Sequence, residues 1–283
     1  MLSQNLTFNS SEPLENKWGH CGHVTPGIIV WAFFSALFSL VGFPACAAVL
    51  WELFQRHRAG TSITPNDVFM INLTVMDLVF LFFVPLGLTN FLLWRIMSFQ
   101  SFISFLYALN LAGRPLLTAC ICLDCYMAVF HPIAYSTKKS LTPRVLMAAA
   151  VWTATMVQGS MSIVDKDLNH SAWATFVYII ALPIIVICDA SILWTLKKSY
   201  RRGGDLHPRK KKALQIITNS MVMTITSYFP PVLLYVFGHL IVTDDNEYEC
   251  VLAMPVLIIP TAGSAIMPLL HLGNLGRLNN LCC

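Results

Sequence analysis

Seven long apolar runs constrain the fold more than any other feature of this sequence. They lie at about 27–54, 66–93, 99–130, 143–164, 172–197, 213–241 and 251–271. A helix needs roughly 20 apolar residues to cross the hydrocarbon layer. In lipid, a spanning segment must also satisfy its own backbone hydrogen bonds, which a helix does. The expectation is an all-α membrane protein, a seven-transmembrane helix bundle. Composition agrees, with 56% hydrophobic and 11% charged residues against roughly 25% charged in soluble domains. The expected division is a tail at 1–26, the bundle at 27–271 and a short tail at 272–283.

Lys and Arg orient the bundle. Arg56 and Arg58 follow the first run, Lys138, Lys139 and Arg144 follow the third, and Arg277 follows the seventh. Between the fifth and sixth runs lie Lys197, Lys198, Arg201, Arg202, Arg209, Lys210, Lys211 and Lys212. The opposite side has only Lys17, Arg95 and Lys166, while Arg114 lies within a run. The basic side is expected to be cytoplasmic, so the N-terminus is extracellular and the C-terminus cytoplasmic. The net charge of +4 then reflects topology and gives no reason to expect a nucleic-acid partner. The basic stretch 209–212 could also touch anionic lipid or a protein partner.

Asn5, Asn9 and Asn169 each begin an N-glycosylation acceptor triplet on the side read as extracellular. Asn72 begins another, but inside a span. Nothing at the N-terminus reads as a cleavable signal. Cys21 and Cys250 are the two cysteines on the extracellular side, and a disulfide between them is expected. Cys282 and Cys283 end the chain, where palmitoylation and an unmodified thiol end are both open readings.

Asp77, Arg114 and Asp124 are charged residues within apolar runs. An ionisable group at mid-membrane costs about 2.5–3.5 kcal/mol on insertion scales, so Asp77 should face the bundle interior and find a partner. Arg114 and Asn110 are four residues apart and share a helix face. There is no P-loop, no zinc-like His/Cys spacing and no Gly-x-Ser-x-Gly elbow. Asp77, Asp124 and Asp189 lie on three different runs. The sequence therefore suggests no enzyme, no catalytic residues, no cofactor and no metal.

A marker in each of runs two to seven resembles the rhodopsin-like (class A) G-protein-coupled receptors, over essentially the whole chain. The markers are Asn72-Leu73 with Asp77, then Trp94 after the second run. Leu123-Asp124, Tyr126, Ala128-Val129 and His131-Pro132 follow. Trp152, Pro183, Pro230 and Pro268 complete the series. The style of runs two to four is similar to the purinergic and lipid receptor-like branch. The resemblance implies a ligand entering from outside and a heterotrimeric G protein or arrestin binding inside.

Departures from the family pattern cluster at the inner side. The resemblance places a switch at Asp124, Cys125, Tyr126, Ser191, Pro268 and His271. Cys125 stands where the family has an arginine; Ser191 and His271 stand where it has tyrosines. These three groups meet on activation in the family, so their joint absence implies atypical or weak coupling. Tyr228 replaces the family's tryptophan in the sixth run, and Cys46 replaces an asparagine in the first. The disulfide from the top of the third run is missing as well. Gln100 lies near its expected position, and 165–171 has no cysteine.

Arg114 falls eleven residues before Cys125, where the resemblance implies a small residue lining a sodium pocket. The expectation is a buried ion pair of Asp77 with Arg114, with Asn110 nearby, replacing the ion. The competing reading directs Arg114 to a water-filled cavity. Projection from the family markers implies a ligand pocket lined by Tyr107, Leu111, Tyr178, Tyr228, Tyr235, His239, Leu257 and Thr261. This lining has no fixed charge, so a neutral or lipid-like ligand is favoured over a nucleotide; simple aromatic packing is the competing account.

Three readings follow. One is an orphan-like receptor with atypical coupling. Another is a non-coupling receptor-fold partner or decoy, in a receptor heteromer. The third is a small transporter or channel, which inverted repeats would favour; none is seen.

Overall fold

In a computed structural model of the chain, the described residues are 25–60, 65–131, 133, 135, 141–164, 170–201, 226–231, 233, 237 and 256–274. Helices α1 (Thr25–Arg58), α2 (Pro65–Thr89), α3 (Met97–Phe130), α4 (Thr142–Val164) and α5 (His170–Arg201) follow in order. A helical segment at 226–231 (α6) and α7 (Ile258–Asn274) complete them. Among the described residues, Gly27–Arg58, Asp67–Trp94, Met97–Phe130 and Val177–Thr195 are long and apolar enough to cross a membrane. α7 runs to Asn274, three residues past the expected end of the bundle.

α3 is the central element, packing on α2, α4 and α5, while α1 packs on α2 and α7. Its buried side chains fit that position, with Leu106, Leu109, Ala112, Leu117, Ala119 and Cys122 all covered. α1, by contrast, turns Phe33, Leu40, Trp51 and Phe54 outward, as a peripheral helix in lipid must. Its contact with α7 is close because Gly42 has no side chain. A Cβ at Gly42 would lie 2.8 Å from the Ala265 Cα.

Asn90 organises the turn from α2 to α3. A π-helical stretch, Asn90–Trp94, ends at Arg95, whose φ of 56° is left-handed. The backbone N–H of Arg95 donates to the Asn90 carbonyl at 2.7 Å. The buried Asn90 amide donates to the Ile96 carbonyl and accepts from the Ile96 N–H at 3.0 Å. It also donates to Gln100 at 3.3 Å. An amide that can both give and accept thus replaces the backbone partners lost where one helix ends and the next begins.

Asn72 is also engaged. Trp152 on α4 donates its indole N–H to the Asn72 carbonyl oxygen at 2.9 Å. The Asn72 NH2 donates to the Val68 carbonyl at 2.7 Å. Its acceptor triplet is thus committed to holding α2 against α4.

Candidate functional site

Two carboxylate–arginine clusters organise the interior. The first lies midway along α2 and α3. Arg114 Nε stands 3.1 Å from Asp77 Oδ1 and donates to Oδ2 at 3.3 Å. Asn110 Nδ2 donates to Asp77 Oδ1 at 3.1 Å, using the helix face it shares with Arg114. Neither charged side chain reaches solvent, at 5% and 1% exposure for Arg114 and Asp77.

α7 closes this cluster. Arg114 Nη2 donates to the Gly263 carbonyl at 2.5 Å, and Ser264 Oγ donates to Asn110 Oδ1 at 3.5 Å. Gly263 has to be glycine for this approach. A Cβ there would lie 2.5 Å from Arg114 Nη1 and 2.9 Å from Ser227 Oγ on α6. One guanidinium therefore bears on α2, α3 and α7, with α6 alongside. The sequence marks Asp77, Asn110 and Arg114; it gives no sign that a backbone carbonyl completes the shell. The small residues of Thr261-Ala262-Gly263-Ser264 were the available signal.

The second cluster lies at the basic end of the bundle, where α3 ends and α4 begins. Arg144 Nε and Nη2 both sit 3.0 Å from Asp124 Oδ1. Tyr135 donates its hydroxyl to Oδ2 at 2.8 Å. The Arg144 guanidinium also lies 5.2 Å from the centre of the Tyr135 ring, within cation–π range. Burial, then its hydrogen bond to Asp124, pushes the Tyr135 phenol up to about 12, so it stays a donor at physiological pH. Arg144, counted from the sequence only toward the orientation of the bundle, thus also has a buried partner. Its side chain is buried because a carboxylate one helix away neutralises it.

The other expected switch residues surround this end. Cys125 is a free, half-buried thiol. Tyr126 stacks on Phe130 at 4.4 Å. Ser191 is half-buried, and its carbonyl accepts from the Thr195 hydroxyl. Pro268 is buried, and His271 keeps a buried Nε2 without a hydrogen bond.

Several of the expected pocket residues pack tightly beside the mid-membrane cluster. Tyr178 donates to the Leu111 carbonyl at 3.1 Å and lies 5.8 Å, ring to ring, from Tyr228. Both tyrosines are buried, as is Thr261. Tyr107 meets Phe80 edge to face at 4.9 Å. Leu257 packs in the same apolar cluster as Tyr107. Tyr235 and His239 lie outside the described residues. So do Cys21, Cys250, Asn5, Asn9, Asn169, Cys282 and Cys283.

The family described as "7 transmembrane receptor (rhodopsin family)" matches residues 46–172, a stretch that contains both arginines and both carboxylates. Purinoceptor 3 of Gallus gallus is 27% identical over 220 residues, 68% of this chain and 66% of that protein. G-protein coupled receptor 15 of Mus musculus is 24% identical, covering 58% of this chain and 52% of that one. The uracil nucleotide/cysteinyl leukotriene receptor of Mus musculus is 25% identical over 80% of this chain and 71% of its own. The chain thus spans just under two thirds of the length of the first relative and about half of the second. These relatives are receptors, not enzymes. The chain is similar to the rhodopsin-like seven-transmembrane receptors, purinergic receptors among them, and four of its described helices are long and apolar enough to cross a membrane.

Proposed function

We propose that this protein is an orphan-like receptor that senses an extracellular ligand and couples weakly or atypically to G proteins. Its N-terminus is outside and its basic end faces the cytoplasm. The supporting observation is the foot of α3. Position 125 offers a thiol where the family has an arginine, and Asp124 is already held by Arg144 and Tyr135. Ser191 and His271 remove two further groups of the same switch.

The mid-membrane pair supports the same reading. Arg114 fills the place of a sodium ion with a charge that cannot dissociate, so the bundle has a permanent counterion for Asp77. Arrestin is a second cytoplasmic partner, and lipid surrounds the bundle. A neutral or lipid-like ligand suits the described pocket residues, none of which carries a fixed charge. The purinoceptor and uracil-nucleotide names of the relatives favour a nucleotide instead. Thermal stabilisation of the purified protein by uridine diphosphate against 1-oleoylglycerol separates the two.

The non-coupling partner reading rests on the joint loss at positions 125, 191 and 271. G-protein activation and arrestin recruitment are to be measured in cells for the unchanged protein and Cys125→Arg. A weak basal signal in the unchanged protein supports atypical coupling. Signal only with Cys125→Arg moves the conclusion to a non-coupling partner, and a strong signal from the unchanged protein sinks both.

A further inference from the structure

We propose that Arg144 is the arginine that serves Asp124 in this chain, supplied from the start of α4 and not from position 125. With Tyr135, it clamps the segment after α3 onto the foot of α4. Three observations carry this independently of any ligand. First, both carboxylate oxygens of Asp124 are used. Oδ1 takes Nε and Nη2 of Arg144 at 3.0 Å each, and Oδ2 takes the Tyr135 hydroxyl at 2.8 Å.

Second, the pair is covered, with side-chain exposures of 10% for Arg144 and 9% for Asp124. A lysine or arginine that only marks the inner side of a membrane protein has no reason to leave solvent. Third, Arg144 sits in the first turn of α4, which carries no acidic residue. A cation is disfavoured at that end of a helix because the exposed N–H groups are positive. Asp124 supplies the negative charge that this helix start lacks.

The geometry also explains how an aspartate can persist beside Cys125. A neutral thiol offers it no counter-charge. The consequence is mechanical. A carboxylate that could be served within α3 is instead tied to a different helix, so displacement of the foot of α3 must carry α4 and the residues between them along, or break the clamp.

The test uses the full chain in lipid nanodiscs, comparing Arg144→Gln, Cys125→Arg and the double variant. The readouts are thermal unfolding and hydrogen exchange over residues 131–141. Arg144→Gln is expected to lower the melting temperature by roughly 4 °C and speed exchange in that segment roughly tenfold. Adding Cys125→Arg should restore the melting temperature, because Asp124 regains a cation, while exchange stays fast, because that cation does not reach α4. If Arg144→Gln prevents folding, the Asp124→Asn/Arg144→Gln double variant should recover it by removing the unpaired charge. The proposal fails if Arg144→Gln changes neither readout. It also fails if Cys125→Arg leaves the melting temperature unrestored, or if the double neutralisation recovers nothing.

Discussion

The mid-membrane and basic-end clusters pair the same two groups and use them differently. Asp77 meets its arginine in the bundle interior, with Asn110 and the Gly263 carbonyl completing a shell drawn from α2, α3 and α7. Asp124 meets its arginine at the rim, with a phenol completing a shell drawn from α3, α4 and the segment between them. The interior cluster reaches an element distant in sequence, α7, and makes Asp77 affordable in lipid. The rim pair joins neighbours and fixes a local connection. The depth at which a charge is held thus decides whether its partner supports the whole bundle or one joint.

The largest break in that comparison is Arg114→Leu. It leaves Asp77 unpaired in the interior and should cost about 3–5 kcal/mol, measured as loss of surface-expressed, detergent-stable protein. Asp77→Leu added to it should recover much of that loss, because no buried charge then remains. Gly263→Ala comes next, at about 1–3 kcal/mol. The added methyl has to displace either the guanidinium or Ser227, and a thermal melt of the variant reads it.

Asp124→Asn should cost about 1–2 kcal/mol, between exposed and buried pairs. A value equal to that of Arg114→Leu would erase the distinction drawn between the two clusters. The smallest expected effect sharpens the comparison most. Exchanging sodium for potassium at constant ionic strength should leave the melting temperature unchanged if, as proposed, Arg114 takes the place of the ion. A stabilisation specific to sodium would show that the guanidinium leaves it room.

Much of this could be read along the chain. Two opposite charges in apolar runs, Asp77 and Arg114, demand partners in a medium that offers no water, so the sequence names them together. The extents of the first five helices were legible for the same reason, because lipid enforces backbone pairing. Arg144 was not. It lies in the first turn of α4, just after Lys138 and Lys139, where the topology signal accounts for it fully, and only its burial reveals a second role. Gly263 was hidden for another reason. The atom that matters there is a carbonyl oxygen, which every residue has, and its availability depends on how closely α7 approaches α3. Asn90 is a third case, since an asparagine near a helix end reads as an ordinary turn residue and its three side-chain hydrogen bonds depend on the register of α3.

The absent side chain of Gly42 has a reach of its own. Ala265, which it lets α1 approach, lies two residues beyond Gly263 on α7. The thickness of residue 42 therefore sets where α7 rests against α1, and so where the Gly263 carbonyl stands for Arg114. α1 thus acts as a spacer for the cluster. A collection of random variants selected for surface expression should find position 42 as intolerant as the charged residues it never touches.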